Sequence, residues 1–221
     1  MLDEVLETLV RRATEADGGV DLGRAREAFH ECAGAFEPGD PDYEPRIQFF
    51  LDWYLCAWIS PDGTRPGERV AREPLERELA LACARAERSL FLVTGLDGDQ
   101  VRLSDPLAGG RYRVVRPEPL AGLERLREGD LFDGHLVVLG ERIHVMPGRI
   151  FHPPEAHEPL AAILERARAE RTFERPVLLD ALLRMQMRLE RFTSMRAKHI
   201  YRWESLPERD ILSAGWARKT G

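Results

Sequence analysis

Apolar side chains recur at helical spacing along the first ninety or so residues. Leu2, Val5, Leu6 and Leu9 share one face of a first helix, which Ala16-Asp17-Gly18-Gly19 ends. A second helix is predicted from about Leu22 to Phe36, with Ala25, Phe29, Cys32 and Phe36 on its apolar face. After a loop rich in Pro, Gly and Asp comes a third, from Arg46 to the Ser60-Pro61-Asp62-Gly63 turn. Thr64 is placed to cap a short helix carrying Val70. Pro74 begins another, with Leu75, Leu79, Cys83 and Ala86 in register.

The period then changes from helical to alternating. Residues 90–94, 100–105, 111–116, 131–139 and 142–147 are rich in Val, Leu, Phe and Tyr, and turn clusters separate them at 95–99, 106–110 and 140–141. Five short strands predict a compact antiparallel sheet curled into a small barrel, with a turn of helix in the longer link 117–129. Helical spacing returns at Pro154. After Arg175-Pro176 one long helix is expected to run to Pro207, carrying Leu178, Leu182, Met185, Leu189 and Phe192. The fold class is therefore α+β. A helical part spans 1–88, a β-domain 89–153, a C-terminal helical segment packing back spans 154–206, and a tail 207–221.

Ile47 to Ile59 holds five aromatics and, as polar side chains, only Gln48 and Asp52. Thirteen residues make about 20 Å of helix, short of the roughly 20 residues a bilayer requires. A helix apolar on every side reads as a central core helix. Asp52 then needs a partner, because an unpaired buried carboxylate is costly or takes up a proton. A tyrosine hydroxyl, an indole N–H, a helix N-terminus or an arginine would serve. The competing reading, a catalytic carboxylate in an aromatic pocket, lacks a second acid at a telling spacing.

Other chemistry is sparse. His135, His144, His152 and His157 fall within 23 residues, and a two-residue turn at Gly140-Glu141 would set Val137 against His144 and His135 against Met146. His135 and His144 would then be diagonal neighbours, yet no His/Cys ligand spacing supports a metal. The glycine stretches 95–100 and 107–112 fit hairpins better than phosphate loops, and no nucleophile elbow is present. Cys32, Cys56 and Cys83 match no metal or redox spacing and read as buried thiols in a reducing cytosol. No cofactor is expected.

Charge redraws one region. The net charge is −6, but residues 176–221 carry nine Lys/Arg against five Asp/Glu, a balance of +4, which leaves −10 on the first 175. Arg184, Arg188 and Arg191 share a helix face, Arg196, Lys198 and Arg202 continue it, and Met185, Met187, Met195, Tyr201 and Trp203 add adaptable apolar surface. That segment is the candidate docking element. The first residues read as an amphipathic helix and not as a signal peptide, so a cytoplasmic protein without membrane contact is expected.

Residues 46–150 carry a resemblance. "FFLDWYLCAW", "VRLSDPLAGGRYRV" and "GDLFDGHLVVLGERIHV" resemble a set of largely uncharacterised bacterial proteins with a Phe-Leu-(Asp/Glu)-Trp-(Phe/Tyr)-(Leu/Phe) helix before a small β-domain. Some of those end in a cysteine-rich SEC-C type metal module, which is absent here. The resemblance implies the architecture and no catalytic residues. The reading is a non-enzymatic interaction or regulatory protein that docks a protein partner through its basic C-terminal helix and β-domain surface. A nucleic-acid-associated protein using the same surfaces is the alternative, and a metal-dependent or acid/base hydrolase the third.

Overall fold

The computed structural model describes residues 2–117, 126–170 and 174–206. The helix predicted in the link 117–129 and the tail 207–221 lie largely or wholly outside these. Five helices come first: α1 (Leu2–Glu15), α2 (Val20–Ala33), α3 (Tyr43–Cys56), α4 (Pro66–Val70) and α5 (Pro74–Ala84). Pro66 and Pro74 each stand in a first turn, where a missing N–H costs nothing. Thr64 does not cap α4. Its N–H and hydroxyl both donate to Asp62, and Arg65 takes the cap position. The Glu76 carboxylate accepts the backbone N–H groups of Arg72 and Glu73 at the start of α5.

Five strands follow, β1 (Glu87–Asp97), β2 (Gln100–Ser104), β3 (Arg111–Val115), β4 (Leu131–Leu139) and β5 (Arg142–His152). Two-residue turns at Gly98-Asp99 and Gly140-Glu141 join β1 to β2 and β4 to β5, and both glycines have φ 58°. The sheet is mixed. Its ladders β1–β2, β1–β4, β2–β3 and β4–β5 are antiparallel, while β3 meets β5 in parallel through the bridge Val115–His144. The wholly antiparallel expectation failed there because β4 intervenes between β3 and β5 and restores the chain direction. Then come α6 (Pro154–Glu170), α7 (Arg175–Arg191), α8 (Ala197–Ile200) and a 3-10 turn at Trp203–Ser205.

Burial falls into three clusters. Leu90, Phe91 and their neighbours divide them: Phe91, Val101, Leu103, Val114 and Phe132 fill the curled sheet. Leu90 and Leu131 face α6, α7 and α8. The third cluster joins α1, α2, α3 and α5 to Val137, Met146 and Ile150 of the sheet and to Leu183 and Met187 of α7. At its centre α3 lies directly on β5 at Gly148, where a Cβ would sit 2.6 Å from the Phe49 nitrogen and 2.8 Å from Asp52 Oδ2.

Candidate protein-interaction surface

α7 is buried on two sides. Leu183 and Met187 point into the α1–α3 core, while Leu178, Leu179, Leu182 and Met185 pack on α6 and the sheet. What it leaves to solvent is a narrow basic strip. Arg184 is half-buried, its Cγ lying 3.4 Å from a methyl built on Gly34. Arg191 is exposed, but its Nη2 donates to Ala35 O (2.8 Å) and Asp40 Oδ2 (2.6 Å). Arg188 alone of the three is exposed without an ion-pair partner among the described residues.

The single helix expected from Pro176 to Pro207 stops at Arg191. Phe192 leaves helical geometry at φ −113°, ψ 66°, Met195 N–H closes a turn on Phe192 O, and α8 starts at Ala197. Arg191's bonds to the α2–α3 loop fix the last turn of α7, and the β-branched Thr193 and the backbone-competing Ser194 follow it. The break turns out two apolar side chains, Phe192 (54% exposed) and Met195 (44%). Exposed Arg196 and Lys198 stand beside them, again without an ion-pair partner among the described residues. Arg202 is exposed and lies 3.5 Å from Glu204. Trp203 is half-buried on the second core, with the Arg166 guanidinium 4.5 Å from its ring centre, and so faces the protein more than solvent.

The interior carries the other polar groups. Asp52 is 1% exposed, and its oxygens accept from Gly148 N–H (2.6 Å) and Gln48 Nε2 (3.2 Å), which clamps α3 to β5. The tyrosine and indole donors near it serve a different carboxylate. Asp21 accepts from Ser60 (2.7 Å), Trp58 (3.1 Å), Arg69 (3.1 Å) and Tyr54 (3.2 Å). Burial alone would raise its pKa, but the four donors outweigh that and hold it below the ordinary carboxylate range. A second unforeseen hub is Arg88, which pairs with Asp133 through two hydrogen bonds (3.0 and 2.8 Å) and reaches Asp180 at 2.5 Å. It ties β1 to β4 and α7. A third joins α3 to α7, where Arg46 binds Glu190 at 2.6 Å and also Gln186.

The register between β4 and β5 breaks between Gly134 and Leu136, so His135 is not paired with Met146. Val137 does oppose His144. His135 is fully buried against Phe49 (ring centres 5.6 Å), and burial, with the Arg88 charge, pushes its pKa down to about 3. His152 is buried too. Its Nδ1 meets the Tyr201 hydroxyl at 2.7 Å, its carbonyl is bonded by His157, and burial, then His157 and Arg46, lower it to about 3. Among the described residues no three His, Cys, Asp or Glu side chains gather as a metal set, and no helix is long and apolar enough to cross a membrane. The three cysteines are free, and Cys56 and Cys83 come together between α3 and α5 in hydrogen-bonding contact, a meeting across 27 positions that no spacing rule announces.

The α7–α8 surface is thus the place where unpaired cations and exposed apolar side chains coincide. No family model matches the chain, and neither a curated protein nor a solved structure gives a significant match.

Proposed function

We propose that the chain is a non-enzymatic cytosolic interaction or regulatory protein that docks an acidic protein surface where α7 gives way to α8. One observation carries this reading: Phe192 and Met195 protrude among Arg188, Arg196 and Lys198, whose charges nothing described in the chain neutralises. Protruding apolar side chains supply affinity once a partner covers them, and surrounding cations steer and orient an acidic one. Methionine and phenylalanine side chains can repack to fit a partner groove. The curled sheet, as a small barrel, serves as the scaffold that presents this end.

The test starts with capture on the tagged protein and mass spectrometry, followed by binding of the purified partner. A triple variant, Arg188→Glu, Arg196→Glu and Lys198→Glu, should weaken that binding by at least about tenfold, or ~1.4 kcal/mol, and flatten its salt dependence. Thermal stability should barely change, because none of the three side chains is buried. Arg184 and Arg191 are left untouched, since they pack on Gly34 and bind the α2–α3 loop. Unchanged affinity in the triple variant would sink the proposal.

A further inference from the structure

Next to the docking surface, and resting on that reading of it, lies a cluster that the proposed function leaves unused. The α2–α3 loop is fastened to the end of α7 at two successive residues. Arg191 holds Ala35 O and Asp40 Oδ2, and Asp40 in turn accepts Glu37 N–H at 2.9 Å. One residue earlier, the Glu190 carboxyl group hydrogen-bonds the Asp42 carboxyl group. Asp42 is the residue before α3 and has φ 56°, ψ 29°, the left-handed region that L side chains rarely adopt; among the described residues it is the only non-glycine with positive φ.

Two carboxyl groups in hydrogen-bonding contact cannot both be ionised without strong repulsion, so the closed arrangement needs one proton between them. The surroundings supply a single compensating charge. From α3, Arg46 reaches Glu190 at 2.6 Å; from the segment after α8, Tyr201 faces it as a neutral hydroxyl held on His152 of β5; and Gln186, on α7 itself, donates to its other oxygen. Glu155 of α6 adds another negative charge beyond Tyr201. One guanidinium therefore stands against two carboxyl groups in a mostly buried setting.

We propose that Asp42 and Glu190 form a proton-controlled latch: their shared proton keeps the α2–α3 loop closed on α7, and its loss to water parts them, loosens the loop and frees Arg191 to join the docking surface. The released charge would become a fourth cation beside Arg188, Arg196 and Lys198. Burial, then the Asp42 hydrogen bond, push the Glu190 pKa up to about 7, against the pull of Arg46. A carboxyl group raised in the closed form stabilises closure at low pH and stops doing so as pH rises through 7. The latch thus opens on the alkaline side of neutrality.

Hydrogen exchange of the backbone at 35–42, corrected for intrinsic rates, reads the latch without any partner. Raising the pH from 6 to 8 should reduce protection of this segment by about tenfold, the ratio expected when one carboxyl titrates near 7 in the closed form and near 4.5 in the open one. Glu190→Gln keeps a hydrogen-bonding side chain but cannot ionise, so its protection should not depend on pH. Asp42→Asn, which also tolerates the left-handed conformation, should behave alike and covers the case in which Glu190→Gln fails to fold. Flat protection in the parent chain, or the same pH dependence in either folded variant, overturns the latch.

The link to docking is read with poly-L-glutamate as an acidic probe at fixed ionic strength. Its affinity should rise severalfold between pH 6 and 8 in the parent chain and stay constant in Glu190→Gln. Probe binding that ignores pH while protection responds would refute the coupling to Arg191. Failure of the probe and of the captured partner to use Arg188, Arg196 and Lys198 would instead refute the docking surface, leaving the exchange result to stand by itself.

Discussion

At Gly148 the missing side chain is what lets α3 lie against β5, with Phe49 backbone and the Asp52 carboxylate occupying the space a methyl would take. Gly148→Ala should therefore cost about 3 kcal/mol, at the upper end for overpacking, because the added carbon also pushes Asp52 off the Gly148 N–H. Urea denaturation measures it, and a loss below ~1 kcal/mol would show that the helix slides on the strand without penalty. That Asp52 requires a partner was legible in the sequence, since a carboxylate amid aromatics must be satisfied. Which partner was not, because Gly148 stands 96 positions away and a backbone N–H leaves no compositional mark. Tyr54 and Trp58 were sound donors assigned to the wrong acid. Asp21 reads as an ordinary acid in the first turn of a helix until the Ser60 turn and Arg69 fold over it.

Between elements, the strongest fastening is Arg88, whose guanidinium answers Asp133 of β4 and Asp180 of α7. Arg88→Met removes the only cation bonded to Asp133 and should cost about 3–5 kcal/mol, since it leaves two neighbouring carboxylates with little water. Calorimetry or denaturant titration checks this; a variant as stable as the parent would mean that Asp133 takes up a proton without penalty. Helix and strand identities followed from periodicity almost throughout, because burial against one neighbour imposes a period. Two element-scale features escaped it. The bulge at Gly134–Leu136 turns His135 inward, and a bulge depends on twist and partner strand more than on residue type. The break after Arg191 escaped because helical spacing continues through Phe192 to Trp203 and contacts from the α2–α3 loop decide where the helix ends. The basic segment itself was legible from charge, but its division into buried, clamped and free arginines was not.

For the molecule as a whole, His135 and His152 set the acid limit. Both have native pKa values of about 3 against an ordinary 6.5, so the stability they support is present above about pH 6.5 and is lost as the pH falls toward 3. Glu190 acts in the opposite sense, favouring the native state below its ordinary 4.5 and losing that contribution as the pH climbs through about 7. Between roughly pH 5 and 6 unfolding thus takes up two protons at the histidines and releases one at Glu190. Stability should fall by about 1.4 kcal/mol per pH unit of acidification, one net proton's worth. In His135→Phe that slope should be close to zero. Denaturant titrations across the range decide it, and a flat profile in the parent chain would mean that the buried imidazoles do not stay neutral when folded.

The joining of α3 to late parts of the chain has a consequence for synthesis. The most apolar helix is completed by residue 56, but the side chains that cover it include Met146, Ile150, Leu183 and Met187, and Arg46 meets Glu190 across 144 positions. A chain made from its N-terminus carries α3 without that cover for most of its elongation, with α1, α2 and later α5 as its only shelter. Such separated contacts make folding slow, and nascent chains with uncovered apolar surface are the ones that chaperones and aggregates compete for. The last helices thus decide when the first become safe.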